Sequence, residues 1–120
     1  MNRIGIVLFI AFVAVSMSAQ SAKSVFVGEI SDSQCATNVH SKTRSHKEMT
    51  ADHTMGDTKA DCVRTCVRNM GGAYVLLTTD GKVYRLSDHL MFDKFAGEKV
   101  KVFGTADKSN NLNVDKIEKL

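Results

Sequence analysis

Sulfur and imidazole side chains are concentrated in one polar stretch of this 120-residue chain. All three cysteines and three of the four histidines fall between residues 35 and 66, where most of the sequence has neither a helical nor a strand-like apolar period. A segment that cannot form its own hydrophobic core has to be held by other bonds. Cysteine and histidine supply such bonds as disulfides or as metal ligands, so this stretch is the candidate functional site.

The cysteine spacing favours a metal ion. Cys62 and Cys66 lie four residues apart on a predicted helix, which places both sulfurs on one side and disfavours a disulfide between them. With Cys35 and one histidine they complete a tetrahedral zinc set, for which His53 is the predicted fourth ligand and His40 the alternative. Soft sulfur ligands also suit Cu(I), so both zinc and copper are candidate cofactors.

A disulfide is the competing interpretation. Small secreted domains often close a loop with one disulfide, here Cys35 with Cys62 or Cys66, which leaves the third cysteine buried and inert. In that case the chain is an interaction module that binds a peptide or an envelope component. Neither a Cys-x-x-Cys redox motif nor a nucleophile with its base is present, and the sequence therefore predicts a protein that is not an enzyme.

The first 21 residues have the pattern of a signal peptide. A basic head at Arg3 precedes the apolar run Ile4 to Val15, and small residues follow as far as Ala22. The apolar run is too short for a comfortable transmembrane helix, so we expect no stable membrane anchor after the leader is removed. The expected location is secreted or periplasmic, with residues 22–120 forming one domain.

The charge balance argues against nucleic acid as a partner. The formal net charge is +3 and falls to +2 without the leader, in which Arg3 is the charged residue. Lysines and arginines are interspersed with acids, unlike the basic surface of a nucleic-acid-binding protein. The partner implied by the residues is a metal ion.

The remaining chain predicts mainly strands. Residues 24–31 form a strand with Val25, Val27 and Ile30 expected to face inward. A helix beginning near Thr58 or Asp61 passes through both later cysteines and closes at Gly71-Gly72.

A hairpin is the firmest local prediction. Strands over residues 73–79 and 82–87 flank Asp80-Gly81, the dipeptide favoured in type I′ turns. A short helix capped at Ser87 or Asp88 and ending at Gly97 follows, and two strands centred near Val102 and Val114 complete the chain.

The element order predicts the fold class. Once the Cys/His-rich insertion of residues 32–71 is set aside, the order is β-β-β-α-β-β, that of the five-stranded OB-like β-barrel. The prediction is a mainly β (α+β) domain with a helical insertion after strand 1 and a short helix between strands 3 and 4.

Several segments also resemble a family of small exported bacterial proteins of unknown function. They are Gly28-x-Ile30-Ser31-Asp32-Ser33-x-Cys35, a following histidine, Cys62-x3-Cys66-Val67, Gly72-x-Tyr74-Val75-Leu76, and Phe95-Ala96-Gly97-x-Lys99-Val100-x-Val102-x-Gly104-Thr105. The resemblance implies an OB-like barrel and marks the cysteines as part of the motif. It brings no established activity, and the insertion is longer and richer in histidine here.

Overall fold

The computed structural model describes residues 23–37, 51–53, 55–87 and 89–120. In chain order the elements are β1 (Ser24–Asp32), α1 (Ser33–Ala36), α2 (Lys59–Asn69), β2 (Tyr74–Thr78), β3 (Val83–Leu86), α3 (His89–Asp93), β4 (Lys99–Ala106) and β5 (Asn111–Lys119). The predicted leader lies outside the described residues. Among the helices described, none combines the length and apolarity needed to cross a membrane.

Five strands hydrogen-bond into a closed barrel in the order β1-β2-β3-β5-β4. Strand β1 pairs antiparallel with both β2 and β4, so it is shared by the two halves of the ring. A short parallel pairing of β3 with β5, at Arg85 with Asn111 and Leu86 with Leu112, closes the ring. The prediction of a mainly β domain with five strands and few helices is confirmed.

The inward face of β1 differs from the prediction. Val25 and Val27 are 53% and 41% exposed, whereas Ile30 is fully buried and Gly28 faces inward. Because side chains alternate along a strand, an error of one residue reverses the face of every position. The inward-facing position 28 requires glycine, because a Cβ there would lie 2.3 Å from the Leu77 carbonyl oxygen. Glycine adds nothing to the apolar pattern of the strand, so the sequence does not show which face of β1 points inward.

The β2–β3 hairpin is present, but the prediction of a type I′ turn is wrong. That turn requires positive φ at both central residues, whereas of Asp80 and Gly81 only Gly81, at +86°, has a positive φ. The Gly81 N–H donates to the Thr78 carbonyl at 3.0 Å, and the Thr78 N–H donates to the Lys82 carbonyl at 2.9 Å. The Thr78 hydroxyl also accepts from the Lys82 N–H and contacts Asp80. These side-chain bonds stabilise a longer loop than the dipeptide alone predicts.

Helix α2 begins and ends where its sequence predicts. Thr58 caps the first turn in a capping box with Asp61, so each side chain accepts a hydrogen bond from the other residue's backbone N–H. At the other end Gly71 has φ +72°, and the N–H groups of Met70 and Gly72 both donate to the Cys66 carbonyl.

An ion-pair cluster joins α2 to α3. Arg68 donates to both oxygens of Asp93 at 2.7 Å, and the Tyr74 hydroxyl donates to Asp93 at 2.6 Å. The hydrogen bond from Tyr74 contributes most, and together with the Arg68 contacts it holds the pKa of the Asp93 carboxyl below its ordinary value. Next to Asp93, Phe92 inserts into the core of the barrel. The cluster therefore links α2 to the helix that contributes Phe92 to the core.

A paired glycine substitution tests how closely α2 must approach the barrel. Gly97 and Gly81 both have positive φ, but a Cβ at Gly97 would lie 2.9 Å from the Ala60 nitrogen, while nothing lies within 4 Å at Gly81. Both alanine variants incur left-handed backbone strain, on the order of 1 kcal/mol. We expect Gly97→Ala to lower the free energy of unfolding by clearly more than Gly81→Ala, as measured by urea denaturation. Equal losses would contradict the close contact at Ala60.

Candidate metal centre

The turn that carries Cys35 is fixed by Asp32. This residue ends β1, is fully buried and caps α1. One carboxylate oxygen accepts from the backbone N–H groups of Gln34 at 3.0 Å and of Cys35 at 2.9 Å. These two bonds hold the backbone of the turn in which Cys35 lies.

Two further residues of α1 clamp it to the chain that follows α2. The Ser33 N–H donates to the Ala73 carbonyl at 2.8 Å, and the Ala73 N–H donates back to the Ser33 hydroxyl at 3.0 Å. The Gln34 amide donates to the Met70 carbonyl at 2.6 Å. These bonds bring together residues about 40 positions apart, and they place α1 against the end of α2.

Helix α2 presents two different faces. Val63, with Ala60 and Val67, packs against the hydrophobic core of the barrel. Cys62 and Cys66 lie one turn apart on the adjacent face, are both fully buried, and pack against Cys35 and Met55. The helix therefore docks on the barrel with one face while it directs two sulfurs toward α1.

The three cysteine sulfurs form one cluster. All three Sγ atoms lie within 4.8 Å of one another, and all three cysteines are free thiols. Two sulfurs on a tetrahedral zinc are separated by about 3.8 Å, given zinc–sulfur bonds of about 2.3 Å. The cluster is therefore close to the size of a metal site, and the predicted approach of Cys35 to both later cysteines is confirmed.

Burial keeps these thiols protonated in the absence of metal. Burial first, and then the negative charge of Asp32, raises the pKa of Cys66 to about 12 and raises the pKa of Cys35 further. Burial likewise raises the pKa of Cys62. A neutral thiol is a weak nucleophile, so in this state the cluster is poorly suited to attack a substrate. Binding a metal ion displaces the thiol protons.

The histidines are placed differently from the cysteines. His53, the predicted fourth ligand, is exposed, and its Nδ1 pairs with the Asp57 carboxylate. Within the described part of the chain, no histidine, aspartate or glutamate ligand atom joins the three sulfurs. His40, the alternative ligand, lies outside the described residues.

Sequence reasoning missed two neighbours of the sulfurs. Asp32 was not predicted as a site residue, yet its charge acts on all three cysteines. Met55 packs against the cysteines, whereas Met70, which belongs to the same part of the chain, is 48% exposed. The Ser-Asp-Ser-x-Cys motif was the available signal for Asp32. The available signal for Met55 was only its position before the helix cap.

A comparison with known protein families gives a match over the second half of the chain. A family model described as "Protein of unknown function (DUF5818)" matches residues 66–120, which include Cys66 and strands β2 to β5. No curated protein and no solved structure matches the chain. This region therefore resembles a family of unknown function, and the matched residues contain neither Cys35 nor Cys62.

Replacing the Asp32 carboxylate tests its effect on Cys35. In Asp32→Asn the amide oxygen can still cap α1, but the negative charge is removed. Because that charge raises the pKa of Cys35, we expect Cys35 in the metal-free variant to react with iodoacetamide faster at a given pH. Peptide mapping after timed alkylation measures the rate, and Asp57→Asn is the control for removing an exposed carboxylate. An unchanged Cys35 rate in a folded Asp32→Asn protein would contradict this account.

Proposed function

We propose that the protein is an exported, non-enzymatic OB-like domain whose three cysteines bind one metal ion. The observation that carries this proposal is the convergence of three sulfurs from two separate elements within 4.8 Å of one another. Of these, Cys62 and Cys66 come from α2 and Cys35 from α1. A bound ion would tie the two elements together through bonds stronger than the packing between them.

The arrangement around the sulfurs supports a stabilising or storage role over catalysis. Two of the three ligand residues, Cys62 and Cys66, are fully buried, and such shielding from water suits a metal ion that is held rather than exposed to substrate. The backbone on both sides is also fixed by the Asp32 cap and the Ser33–Ala73 clamp. Such rigidity is what preorganised metal ligands require.

The OB-like assignment rests on strand order. A ring in the order β1-β2-β3-β5-β4, with a parallel β3–β5 closure and a helix between β3 and β4, agrees with a five-stranded Greek-key barrel of this type. Export is supported by the signal-peptide pattern of residues 1–21. In an exported protein a bound metal would also protect the thiols from oxidation, because they would be occupied as ligands.

Metal analysis of the purified protein is the direct test. Protein isolated from its native compartment under gentle conditions should carry about one zinc or copper per chain, a stoichiometry set by a single four-coordinate or lower-coordinate site. Cys35→Ser, Cys62→Ser and Cys66→Ser should each lose it. His53→Asn serves as a matched control, because His53 is exposed and paired with Asp57. Inductively coupled plasma mass spectrometry measures the content.

The same preparation distinguishes the disulfide alternative. Two of three sulfurs this close can also oxidise to a disulfide, which would leave an interaction module with one spare thiol. In that case the intact mass would be lower by two hydrogens, one thiol would react with an alkylating reagent, and no metal would be found. That combination of results would overturn the metal proposal.

Removing the metal should also lower stability. A ligand that binds only the folded state at a thousand times its dissociation constant adds about 4 kcal/mol to the free energy of unfolding. We therefore expect a chelator to lower the melting temperature of the wild type. Under reducing conditions the chelator should leave the melting temperature of Cys66→Ser unchanged, because this variant has lost a metal ligand. A chelator effect of equal size in both proteins would argue against this site.

A further inference from the structure

Four sulfur-containing side chains lie together at the candidate metal position. Three are the cysteine thiols, and Met55 packs against Cys62 and Cys66 as part of the same cluster. Met55 is half-buried, in contrast to the exposed Met70. Met55 therefore lies beside the thiols because the fold places it there, and not merely because the chain contains several methionines.

Nitrogen and oxygen ligands are directed elsewhere within the described residues. His53 pairs with Asp57 on the surface, and one oxygen of the Asp32 carboxylate accepts hydrogen bonds from two backbone N–H groups. Neither contributes a ligand atom to the group of three sulfurs. Structural zinc is almost always four-coordinate, so within the described residues the three cysteines leave the fourth zinc ligand unsupplied.

Thiolate and thioether ligands select soft metal ions, and Cu(I) is the soft ion that accepts three sulfur ligands as a complete set. Resting on the proposed function, we infer that the centre is specific for a single Cu(I) ion held by Cys35, Cys62 and Cys66, with the Met55 thioether as a fourth, weaker sulfur contact. The chemical class of the ligand is therefore a soft monovalent cation.

The exposure of the ligands suggests how such an ion reaches the site. Cys62 and Cys66 are fully buried, while Cys35 is partly exposed. Cys35 is therefore the first sulfur that a donor of Cu(I) can approach from solvent. The other two ligand residues lie away from solvent.

The experiment compares the two metals on the same protein. Full-length mature protein, reduced and metal-free, is titrated without oxygen against Cu(I) in competition with a coloured Cu(I) chelator, and separately against Zn(II) with a zinc chelator. We expect one tightly bound Cu(I) that excess Zn(II) does not displace. X-ray absorption at the copper edge should show only sulfur neighbours.

Methionine variants supply the specific test. Met55→Leu should weaken Cu(I) binding by about tenfold, the lower end of what losing a neighbour of a metal ligand costs, while Zn(II) binding changes little. Met70→Leu is the matched control and should leave both affinities unchanged. Leucine is close to methionine in volume, so the fold should be retained, and circular dichroism checks this.

Each outcome has a distinct meaning. Nitrogen or oxygen in the copper shell, a zinc site that Cu(I) does not replace, or Cu(I) affinity unchanged in Met55→Leu would overturn the copper inference. The proposed function would stand in those cases if either metal still binds through the cysteines. Failure of both metals to bind at one equivalent would overturn the inference and the proposed function together.

Discussion

The two reciprocal hydrogen bonds between Ser33 and Ala73 are the constraint on which the site depends. They join the residue after β1 to the residue before β2, across the whole insertion, through one backbone–backbone bond and one bond to the Ser33 hydroxyl. The β1–β2 pairing continues this contact from Asp32 with Tyr74 onward. Because the insertion leaves and returns at one point of the sheet, its first turn and its helix have to lie side by side. The sulfur cluster follows from that geometry.

Helix α2 packs against both α1 and the barrel. Its Val63 face contributes to the core, its arginine side reaches Asp93 on α3, and its cysteine face meets α1. Each of these faces is fixed by a different interaction: hydrophobic burial, an ion pair, and the sulfur cluster. A metal at the cluster would therefore act on a helix already held at two other places, which suits a site that changes little on binding.

The thiols are buried beside a carboxylate, and this combination has a chemical consequence. Desolvation and the Asp32 charge both favour the protonated thiol, so the metal-free cluster has little nucleophilic reactivity. The same burial makes the sulfurs strong ligands once a cation compensates their charge, because electrostatic attraction is larger away from water. The environment of the thiols thus supports the proposed binding of a cation.

The sequence by itself determined the elements whose signals are local. Thr58, Asp61 and Gly71 fix both ends of α2, alternating apolar residues fix β4 and β5, and the four-residue spacing of Cys62 and Cys66 places two sulfurs on one helix face. Tertiary structure decided what local patterns cannot encode. The inward phase of β1 depends on the close approach of Leu77 to Gly28. His53 lies away from the sulfurs and Met55 lies beside them, and both positions depend on the path of the chain before α2. The meeting of Cys35 with the helix requires the Ser33–Ala73 bonds, since a contact between residues about 40 positions apart is set by the sheet and not by neighbouring residues.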